Sequence, residues 1–287
     1  MKNNSKFIRF IFTNRNFRDN IAYIFLGGIH TMKKFIRITA VVLAVMFAAL
    51  AFTACSGGGN TDTEKTYLIV ADNSFAPFDY LDEATGKYTG IDMDILAAIA
   101  EDQGFKYTVD NCGWNAALGN LSSKTADGMI AGMTITDERK ETFDFSDAYF
   151  EDGQILFVKE GSEIATLEDL EGKKVAVKTG TMGASYVESI KDEYNFTVES
   201  FDGSDAVYAA VSEGNVDAGV EDYSVINFKI ASADLPFATL GEKVNVGPYG
   251  FAVPKGMNAE LVEMFNKGLA NIKENGVYDD ILAKYGM

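Results

Sequence analysis

The stretch Tyr67-Leu68-Ile69-Val70-Ala71 is a continuous apolar run, and it predicts a strand that is buried on both faces. A helix is expected over residues 92–103, with Asp92 as its N-cap and Gly104 ending it. A second strand is then predicted over residues 106–109. Because strand, helix and strand in this order are typical of a parallel sheet covered by helices, this region predicts an α/β fold.

The same alternation continues to the end of the chain. Residues 115–122 are predicted as a helix and residues 128–133 as a strand, which completes a β-α-β-α-β series with a mostly parallel sheet. The elements predicted after it are strands at 154–158, 174–177, 197–201, 218–221 and 249–253, and helices at 182–191, at 204–213 with Ser204 as N-cap, at 259–275 and at 277–285. Two α/β units of about 100 residues each are the simplest packing, and a cleft between their strand ends would suit a small molecule.

The N-terminal region predicts export. Three basic residues precede an apolar stretch over residues 38–50, which has the length of a signal peptide and is short for a membrane span. Thr53-Ala54 then precedes Cys55 and a Gly/Ser-rich stretch. This arrangement resembles a bacterial lipobox, in which the cysteine is lipidated, although Phe52 stands where Leu is usual. The alternative is an ordinary signal peptide with an incidental Cys55.

We therefore interpret residues 32–54 as a lipoprotein signal peptide and residues 55–65 as a flexible tether. Lipid on Cys55 would hold the exported protein at the outer face of the cytoplasmic membrane. Residues 1–31 are interpreted as an upstream extension created by a start codon assigned too early, and a genuine extension is the alternative.

Composition and charge exclude several classes of function. The only histidine, His30, precedes the signal, and the only cysteines are Cys55 and Cys112, so the exported part cannot hold a Ser-His-Asp triad, a Cys-His pair or a His-ligated zinc site. After residue 54 the chain has 17 basic and 41 acidic residues, a net charge of −24, which makes nucleic acid a very poor partner. No structural disulfide is expected, and we expect neither a cofactor nor a metal.

Polar and aromatic residues lie just after several predicted strands. They are Asp72-Asn73-Ser74-Phe75, Trp114, Ala131-Gly132-Met133-Thr134-Ile135-Thr136-Asp137-Glu138-Arg139-Lys140, Lys178-Thr179-Gly180-Thr181-Met182-Gly183 and Glu221-Asp222. Ligands of α/β sheets bind at the carboxyl ends of the strands, so we expect these residues to line the cleft.

These motifs resemble the family 3 extracellular solute-binding proteins, the amino-acid receptors of bacterial ABC importers. The resemblance covers residues 66–287 and rests on the stretch 131–140 followed by Phe143-Asp144-Phe145-Ser146, on its spacing to Val177-Lys178-Thr179-Gly180-Thr181, and on the terminal Asn275-Gly276-Val277-Tyr278-Asp279. It implies the two-lobed α/β fold of type II periplasmic binding proteins. The lobes would be residues 66–149 plus 250–287 and residues 150–249, joined by two hinge strands near residues 149–153 and 245–249.

By this resemblance a free α-amino acid is held at both of its charged ends. Arg139 is the bidentate partner expected for the carboxylate, assisted by the backbone N–H groups of Thr134 and Thr181. Asp222 is expected to bind the ammonium group. The ligand-binding residues that we predict are Asp72, Phe75, Trp114, Gly132, Thr134, Arg139, Lys178, Thr181, Met182, Glu221 and Asp222.

Each of these residues also has a purely structural interpretation. The alternative for Arg139 is a solvated surface charge, and the alternative for Asp222 is a cap of the next helix. Phe75 and Trp114 fit equally well as core aromatics, and the two threonines fit as turn or cap residues. Their joint occurrence at the spacing of the family favours the binding roles.

The residues expected around the ligand side chain favour a polar amino acid. Asp72 and Glu221 would hold a cationic head group between Phe75 and Trp114, as for arginine or lysine. Lys178 matches a position near the ligand in glutamine-binding relatives, but Glu221 replaces the His found there. If Lys178 pairs with Glu221 or Asp72, a polar uncharged ligand is preferred. We rank a cationic ligand ahead of a glutamine-like one.

The expected function is therefore that of a receptor and not of an enzyme. The lobes would close over a free amino acid, and the closed monomer would dock on the permease of an ABC importer. The rival interpretation is a dehydratase of prephenate-like acids on the same fold, which requires a general acid, and Glu221 is its candidate. A sensor or channel module would require further transmembrane segments, and none follows Cys55.

Overall fold

A computed structural model describes residues 65–233 and 235–287. The predicted upstream extension, the signal peptide, Cys55 and the tether up to residue 64 lie outside the described residues, so their interpretation stays a prediction. Within the described ranges, none of the helices has the length and apolar character that crossing a membrane requires.

The first sheet is built around β1 (Thr66–Ala71), which contains the apolar run quoted above. Its other strands are β5 (Lys106–Asn111), β6 (Gly128–Met129), β7 (Phe143–Phe145) and β13 (Ala252–Pro254). The strand order is β5-β1-β6-β13-β7, with β1 parallel to β5 and β6 and with β13 antiparallel to β6 and β7. The three strands of the predicted β-α-β-α-β series are therefore parallel, as predicted, and β13 is the one strand of this sheet that runs in the opposite direction.

Three helices and a small antiparallel sheet surround this first sheet. They are α1 (Ile91–Gln103), α2 (Trp114–Ser122) and α3 (Asp137–Thr142), and the strands β2 (Ser74–Phe75), β3 (Asp79–Asp82) and β4 (Lys87–Thr89). Gly90 precedes α1 with a φ of 134°, and a Cβ atom there would collide with the Phe78 carbonyl, so this turn requires glycine. Gly104 ends α1 in the left-handed conformation, as predicted.

The second sheet repeats this plan with longer antiparallel strands. Its members are β8 (Phe150–Lys159), β9 (Lys174–Lys178), β10 (Thr197–Phe201), β11 (Ala218–Asp222) and β12 (Phe237–Tyr249). The order is β10-β9-β11-β8-β12, with β9 parallel to β10 and β11 and with β8 antiparallel to β11 and β12. The helices of this half are α4 (Met182–Tyr194), α5 (Ser204–Glu213) and α6 (Tyr223–Ala233).

After the second sheet the chain returns to the first. The C-terminal helices α7 (Ala259–Glu274) and α8 (Val277–Lys284) share a buried core with α1, in which Phe251 stacks on Phe265 at 4.7 Å between ring centroids. Gly268 of α7 allows a close approach, since a Cβ atom there would lie 2.7 Å from Ile99. The C-terminus therefore completes the half of the molecule in which the described chain begins.

Two chain segments connect the halves, and they pair with each other. Phe150 at the start of β8 lies opposite Tyr249 at the end of β12, and Asp152 lies opposite Gly247. These are the segments predicted as hinges. The fold is thus the expected two-lobed α/β fold, while the residue-level boundaries of the lobes and their hinge role stay predictions.

Several predicted details are wrong, for local reasons. Asp92 and Ser204 lie inside α1 and α5, whose N-caps are Gly90 and Gly203. The strand predicted at 128–133 ends at Met129, because residues 130–133 leave the sheet toward the cleft. The strand predicted at 249–253 is divided between β12 and β13.

Candidate functional site

All eleven predicted ligand-binding residues line one cavity between the two sheets. Its empty space, counted together with the open solvent at its mouth, is about 430 Å³. Ala131, Gly183 and Val220 complete the lining, and they were not among the predicted residues. The geometry brings the predicted set together, and the ligand-binding roles stay predictions.

The carboxyl ends of the strands deliver the charged residues of the cavity. Asp72 directly follows β1, Lys178 is the last residue of β9, and Glu221 and Asp222 are the last two residues of β11. The cavity therefore lies where the α/β rule places a ligand.

Arg139 is held in the cavity by its own helix and by the opposite lobe. Thr136 caps α3 by accepting the Arg139 backbone N–H at 3.1 Å. The guanidinium donates from Nη1 to the Thr134 carbonyl at 2.9 Å and from Nη2 to the Gly180 carbonyl at 3.3 Å, and it lies 5.3 Å from the Trp114 ring. Burial lowers the pKa of Arg139, and the Asp222 carboxylate opposes that shift. Arg139 is thus not the solvated surface charge of the alternative interpretation.

Thr181 brings a helix N-terminus to the cavity. Its Oγ1 caps α4 by accepting the Ala184 N–H at 3.1 Å and donates to the Lys178 carbonyl at 2.8 Å. Met182 and Gly183, the first residues of α4, line the cavity. A Cβ atom on Gly183 would lie 3.1 Å from Val220, so glycine lets the first turn pack closely on β11. The positive end of the α4 dipole therefore adjoins the cavity.

Asp222 is not a helix cap. Its Oδ1 accepts from Gln154 Nε2 at 3.0 Å and its Oδ2 from the Tyr249 hydroxyl at 2.5 Å. The cap of α6 comes from Asp152, whose Oδ2 accepts the Ser224 N–H at 2.8 Å. Burial, followed by the neighbouring Glu221 charge, raises the pKa of Asp222 to about 7.

Gln154, Tyr249 and Asp152 were missed by the sequence analysis. Gln154 and Asp152 lie on β8, which pairs with β11, and Tyr249 lies on β12, which pairs with β8; this long-range pairing brings them near Asp222, and no local pattern signals it. Gln154 is 1% exposed and its Oε1 has no hydrogen-bond partner among the described residues.

An ion pair closes the side-chain end of the cavity. Lys178 Nζ donates to Asp72 Oδ2, both side chains are buried, and Lys178 lies 5.3 Å from the Phe75 ring. Glu221 is satisfied separately, since it accepts from the Tyr208 hydroxyl at 2.9 Å and from the Asp222 N–H at 3.0 Å. Lys178 is therefore paired with Asp72 and not with Glu221.

Phe75 and Trp114 belong both to the core and to the cavity wall. Phe75 stacks on Phe78 at 5.4 Å, and Trp114 packs in the apolar cluster behind β1 and β6. Each is at least nine-tenths buried, and each lines the cavity. The indole N–H of Trp114 has no acceptor among the described residues. The two interpretations made from the sequence are thus compatible.

Known proteins with this sequence pattern are amino-acid-binding proteins. The chain is 33% identical over 264 residues to the "Probable histidine-binding protein" of Neisseria gonorrhoeae, an alignment that covers 88% of this chain and 96% of that protein. It is 30% identical over 268 residues to the "ABC transporter glutamine-binding protein GlnH" of Bacillus subtilis, covering 87% of this chain and 97% of that protein.

Solved structures agree with the sequence relatives. An ancestral arginine-binding protein bound to arginine superposes with a TM-score of 0.72 at 38% identity, over 77% of this chain and 98% of that one. The ancestral amino-acid-binding protein AncCDT-1, a precursor of cyclohexadienyl dehydratase, superposes with a TM-score of 0.69 at 30% identity, over 77% and 96%. Residues 67–287, nearly all of the described part, match one family throughout, and the chain belongs to the bacterial extracellular solute-binding proteins, family 3.

Proposed function

We propose that this protein is an extracytoplasmic receptor that binds a free polar amino acid between its two lobes and delivers it to an ABC importer. The observation that carries the proposal is that Arg139 and Asp222 face one enclosed cavity from opposite lobes. A zwitterion has an anionic and a cationic end on one carbon atom, and a dry cleft must pair both.

The carboxylate end of the ligand is assigned to Arg139. Two of its N–H groups are already oriented by the carbonyls of Thr134 and Gly180, which leaves the remaining donors of the guanidinium for the ligand. The hydrogen bonds of a bidentate Arg–carboxylate pair are short and directional. Because the Arg139 guanidinium is already held in position, less entropy is lost when the ligand binds. The N-terminus of α4 adds favourable potential for the same anion.

The ammonium end is assigned to Asp222. Gln154 and Tyr249 each donate to one of its oxygens, and a carboxylate retains further lone pairs for a cation. An ammonium group beside Asp222 would stabilise the ionised form, which burial and Glu221 disfavour in the empty site. The Gly132 carbonyl is the second expected acceptor.

The side-chain end supports a polar uncharged ligand, which is the reverse of the order favoured by charge composition alone. Lys178 already neutralises Asp72, and both oxygens of Glu221 already accept hydrogen bonds. Among the described residues at this end, Glu221 is then the one carboxylate without a cationic partner, and a single charge holds a guanidinium or an ammonium head group less well than two would. An amide, which both donates and accepts, fits between Lys178 and Glu221, so we rank a glutamine-like ligand ahead of an arginine-like one.

The rival function, dehydration of a prephenate-like acid, is less well supported. A general acid must hold a proton, but Glu221 accepts from two donors, the Tyr208 hydroxyl and the Asp222 N–H. That environment suits a carboxylate. The rival predicts turnover of prephenate-like acids at low protein concentration, and the receptor predicts none.

The test of the receptor function is titration calorimetry after a thermal-shift screen of the twenty amino acids, because a tight ligand raises the melting temperature by mass action. Arg139→Ala should abolish binding of the best ligand, a loss of at least about a hundredfold, since a buried carboxylate would lose its partner. Lys140→Ala is the matched control, because Lys140 lies on the same helix and pairs only with exposed Asp137. Retained affinity in Arg139→Ala would contradict the proposal.

A further inference from the structure

Two carboxyl groups lie buried behind the cavity, and the proposed function does not use them. Asp79 begins β3, opposite Phe75 of β2, and Asp92 is the second residue of α1. Both are fully buried, and the Asp92 backbone N–H donates to the carbonyl of Phe78, the residue before Asp79, at 3.1 Å, so the two carboxyl groups are neighbours. Because two ionised carboxylates repel strongly in an apolar interior, one proton has to lie between them.

The hydrogen bonds around the pair place that proton on Asp79. Asp92 Oδ2 accepts the Gly132 N–H at 2.9 Å. Among the described residues, no donor reaches Oδ1 of Asp92 or either oxygen of Asp79. A proton on Asp79 makes one of these orphaned oxygens a donor and gives Oδ1 of Asp92 its missing partner. The N-terminus of α1 favours the negative charge on Asp92.

The surrounding charges agree with this assignment. Burial, reinforced by Asp92 and by Asp72 at the end of β1, raises the pKa of Asp79 well above its usual value, and Lys178 at the end of β9 offsets part of that shift. Burial raises the pKa of Asp92 to only about 6, because hydrogen bonds from Asp79, Tyr149 and Gly132 favour its ionised form. Near neutral pH one group is therefore an acid and the other a carboxylate.

We propose that Asp79 and Asp92 form a carboxylic acid–carboxylate pair that positions Gly132 in the ligand cavity. The Gly132 N–H is shared between Asp92 Oδ2 and the Tyr149 hydroxyl, the latter at 3.0 Å, and these bonds hold a backbone with a φ of 56°. Their consequence for ligand binding rests on the proposed function, in which the Gly132 carbonyl faces the ammonium group. The pair itself does not depend on any ligand.

The pair is tested first in the ligand-free protein. Asp79→Asn keeps a donor for Asp92, Asp79→Leu removes it at similar volume, and Glu83→Gln, an exposed acid on the same hairpin, controls for charge. Because the pKa of Asp222 is also raised, to about 7, the infrared spectra are compared at pH 7 in an Asp222→Asn background, in which we expect a protonated carboxyl band that Asp79→Asn removes and Glu83→Gln retains. The NMR amide resonance of Gly132 should shift in Asp79→Leu and stay in place in Asp79→Asn.

A titration of the Asp222→Asn protein, which removes the other cavity carboxyl that titrates near neutrality, keeps the test decisive even if Asp79→Leu does not fold. Raising the pH above neutral should move the Gly132 resonance as Asp79 ionises, and the further substitution Asp79→Asn should abolish this transition. The proposed acid–carboxylate pair would be overturned if Asp79→Asn left the infrared band unchanged. It would also be overturned if the Gly132 resonance responded neither to pH nor to the substitutions.

The link to binding is tested by calorimetry with L-glutamine and L-arginine. Asp79→Leu should weaken whichever amino acid binds by about tenfold, and Asp79→Asn should keep wild-type affinity. If the Gly132 resonance moves in Asp79→Leu while affinity is unchanged, the pair does not position Gly132 for ligand binding. The proposal that Asp79 and Asp92 share a proton is then still supported. If wild type binds neither amino acid, the proposed ligand class fails, and the spectra still decide on the pair.

Discussion

Asp222 combines two hydrogen-bond donors with a raised pKa, and that combination makes its charge sensitive to pH near neutrality. Gln154 and Tyr249 donate to its two oxygens, but burial and the adjacent Glu221 charge outweigh them and raise the pKa to about 7. A carboxyl with a raised pKa stabilises the empty fold most below its unfolded value, and this contribution is lost as pH rises through about 7. Ligand binding has the opposite dependence, because an ammonium group requires the carboxylate.

We therefore predict that affinity rises with pH through about 7. Below that point it should fall by up to about tenfold per pH unit, as Asp222 takes up a proton that the ligand must displace. Calorimetry with L-glutamine between pH 5 and 8.5 measures this dependence, and no histidine after residue 54 contributes to it. Asp222→Asn should bind weakly with a flat profile. A wild-type profile that is equally flat would remove Asp222 from the ammonium site.

The residues that the sequence could assign are those carried by short motifs. Arg139 lies in a ten-residue stretch with Gly132 and Thr134, and the resemblance of that stretch to the family implied its place in the cavity. Asp92 was expected to cap α1, and it instead reaches Gly132, forty residues away in the chain. The choice between a local cap and a distant partner is made by tertiary packing, which no single segment encodes.

The start of α2 and the turn before α4 meet across the cleft. Gly180 in that turn has a φ of 76°, and a Cβ atom added to it would lie 3.3 Å from Trp114 Nε1 and 3.6 Å from Asn115 Oδ1. Asn115 also donates to Asp202 Oδ1 at 3.3 Å. These contacts join the two halves directly, so the proposed opening of the cleft would break them.

Gly180→Ala should therefore weaken ligand binding by about tenfold, because the added methyl group obstructs closure. Gly172→Ala is the matched control: its φ is 71°, but a Cβ atom there meets nothing within 4 Å. Both variants should lose about 1 kcal/mol of stability from the left-handed backbone, measured by urea unfolding. Equal affinities in the two variants would show that the turn does not take part in closure.

Element prediction worked best where periodicity is local. The helix α4 and the strand β9 were found within three residues of their bounds, because each has a clear apolar pattern and a flanking glycine or cap. The strand β12 was missed over residues 237–244, and only its end, residues 245–249, was predicted, as a hinge strand. It is exposed over most of its length and its pairing with β8 shifts register twice, so no alternation marks it in the sequence.

At the scale of the whole molecule, a single motion of one half against the other would change every predicted contact with the ligand. In the part of the chain that the structure describes, the backbone passes between the two halves at β8 and β12, which pair side by side at residues 150–152 and 247–249. Addition of L-glutamine should shift the ensemble toward closure, and the radius of gyration from small-angle scattering should fall. Arg139→Ala should show no such change at the same concentration. A wild-type radius that does not respond to a bound ligand would exclude closure as part of the mechanism.

Membrane attachment is the prediction for the part of the chain before residue 65. If Cys55 is lipidated, Cys55→Ser should move the protein from the membrane fraction to the soluble one, because a lipid chain supplies most of the membrane affinity. Cys112→Ser is the control, since Cys112 is half-buried in the first lobe. Fractionation followed by immunoblotting measures both. A Cys55→Ser protein that stays with the membrane would identify a different anchor.

The ion pair between Asp72 and Lys178 bears on how readily a receptor with this cavity could change its ligand specificity. Lys178 supplies, from within the chain, a positive charge that a longer basic nutrient could supply itself. A shorter side chain at residue 178 would leave space beside the buried carboxylate of Asp72, and that space would then favour a ligand with a cationic side chain. On the proposed assignment, a single substitution at residue 178 would therefore separate a preference for a glutamine-like ligand from one for an arginine-like ligand, without a change of fold.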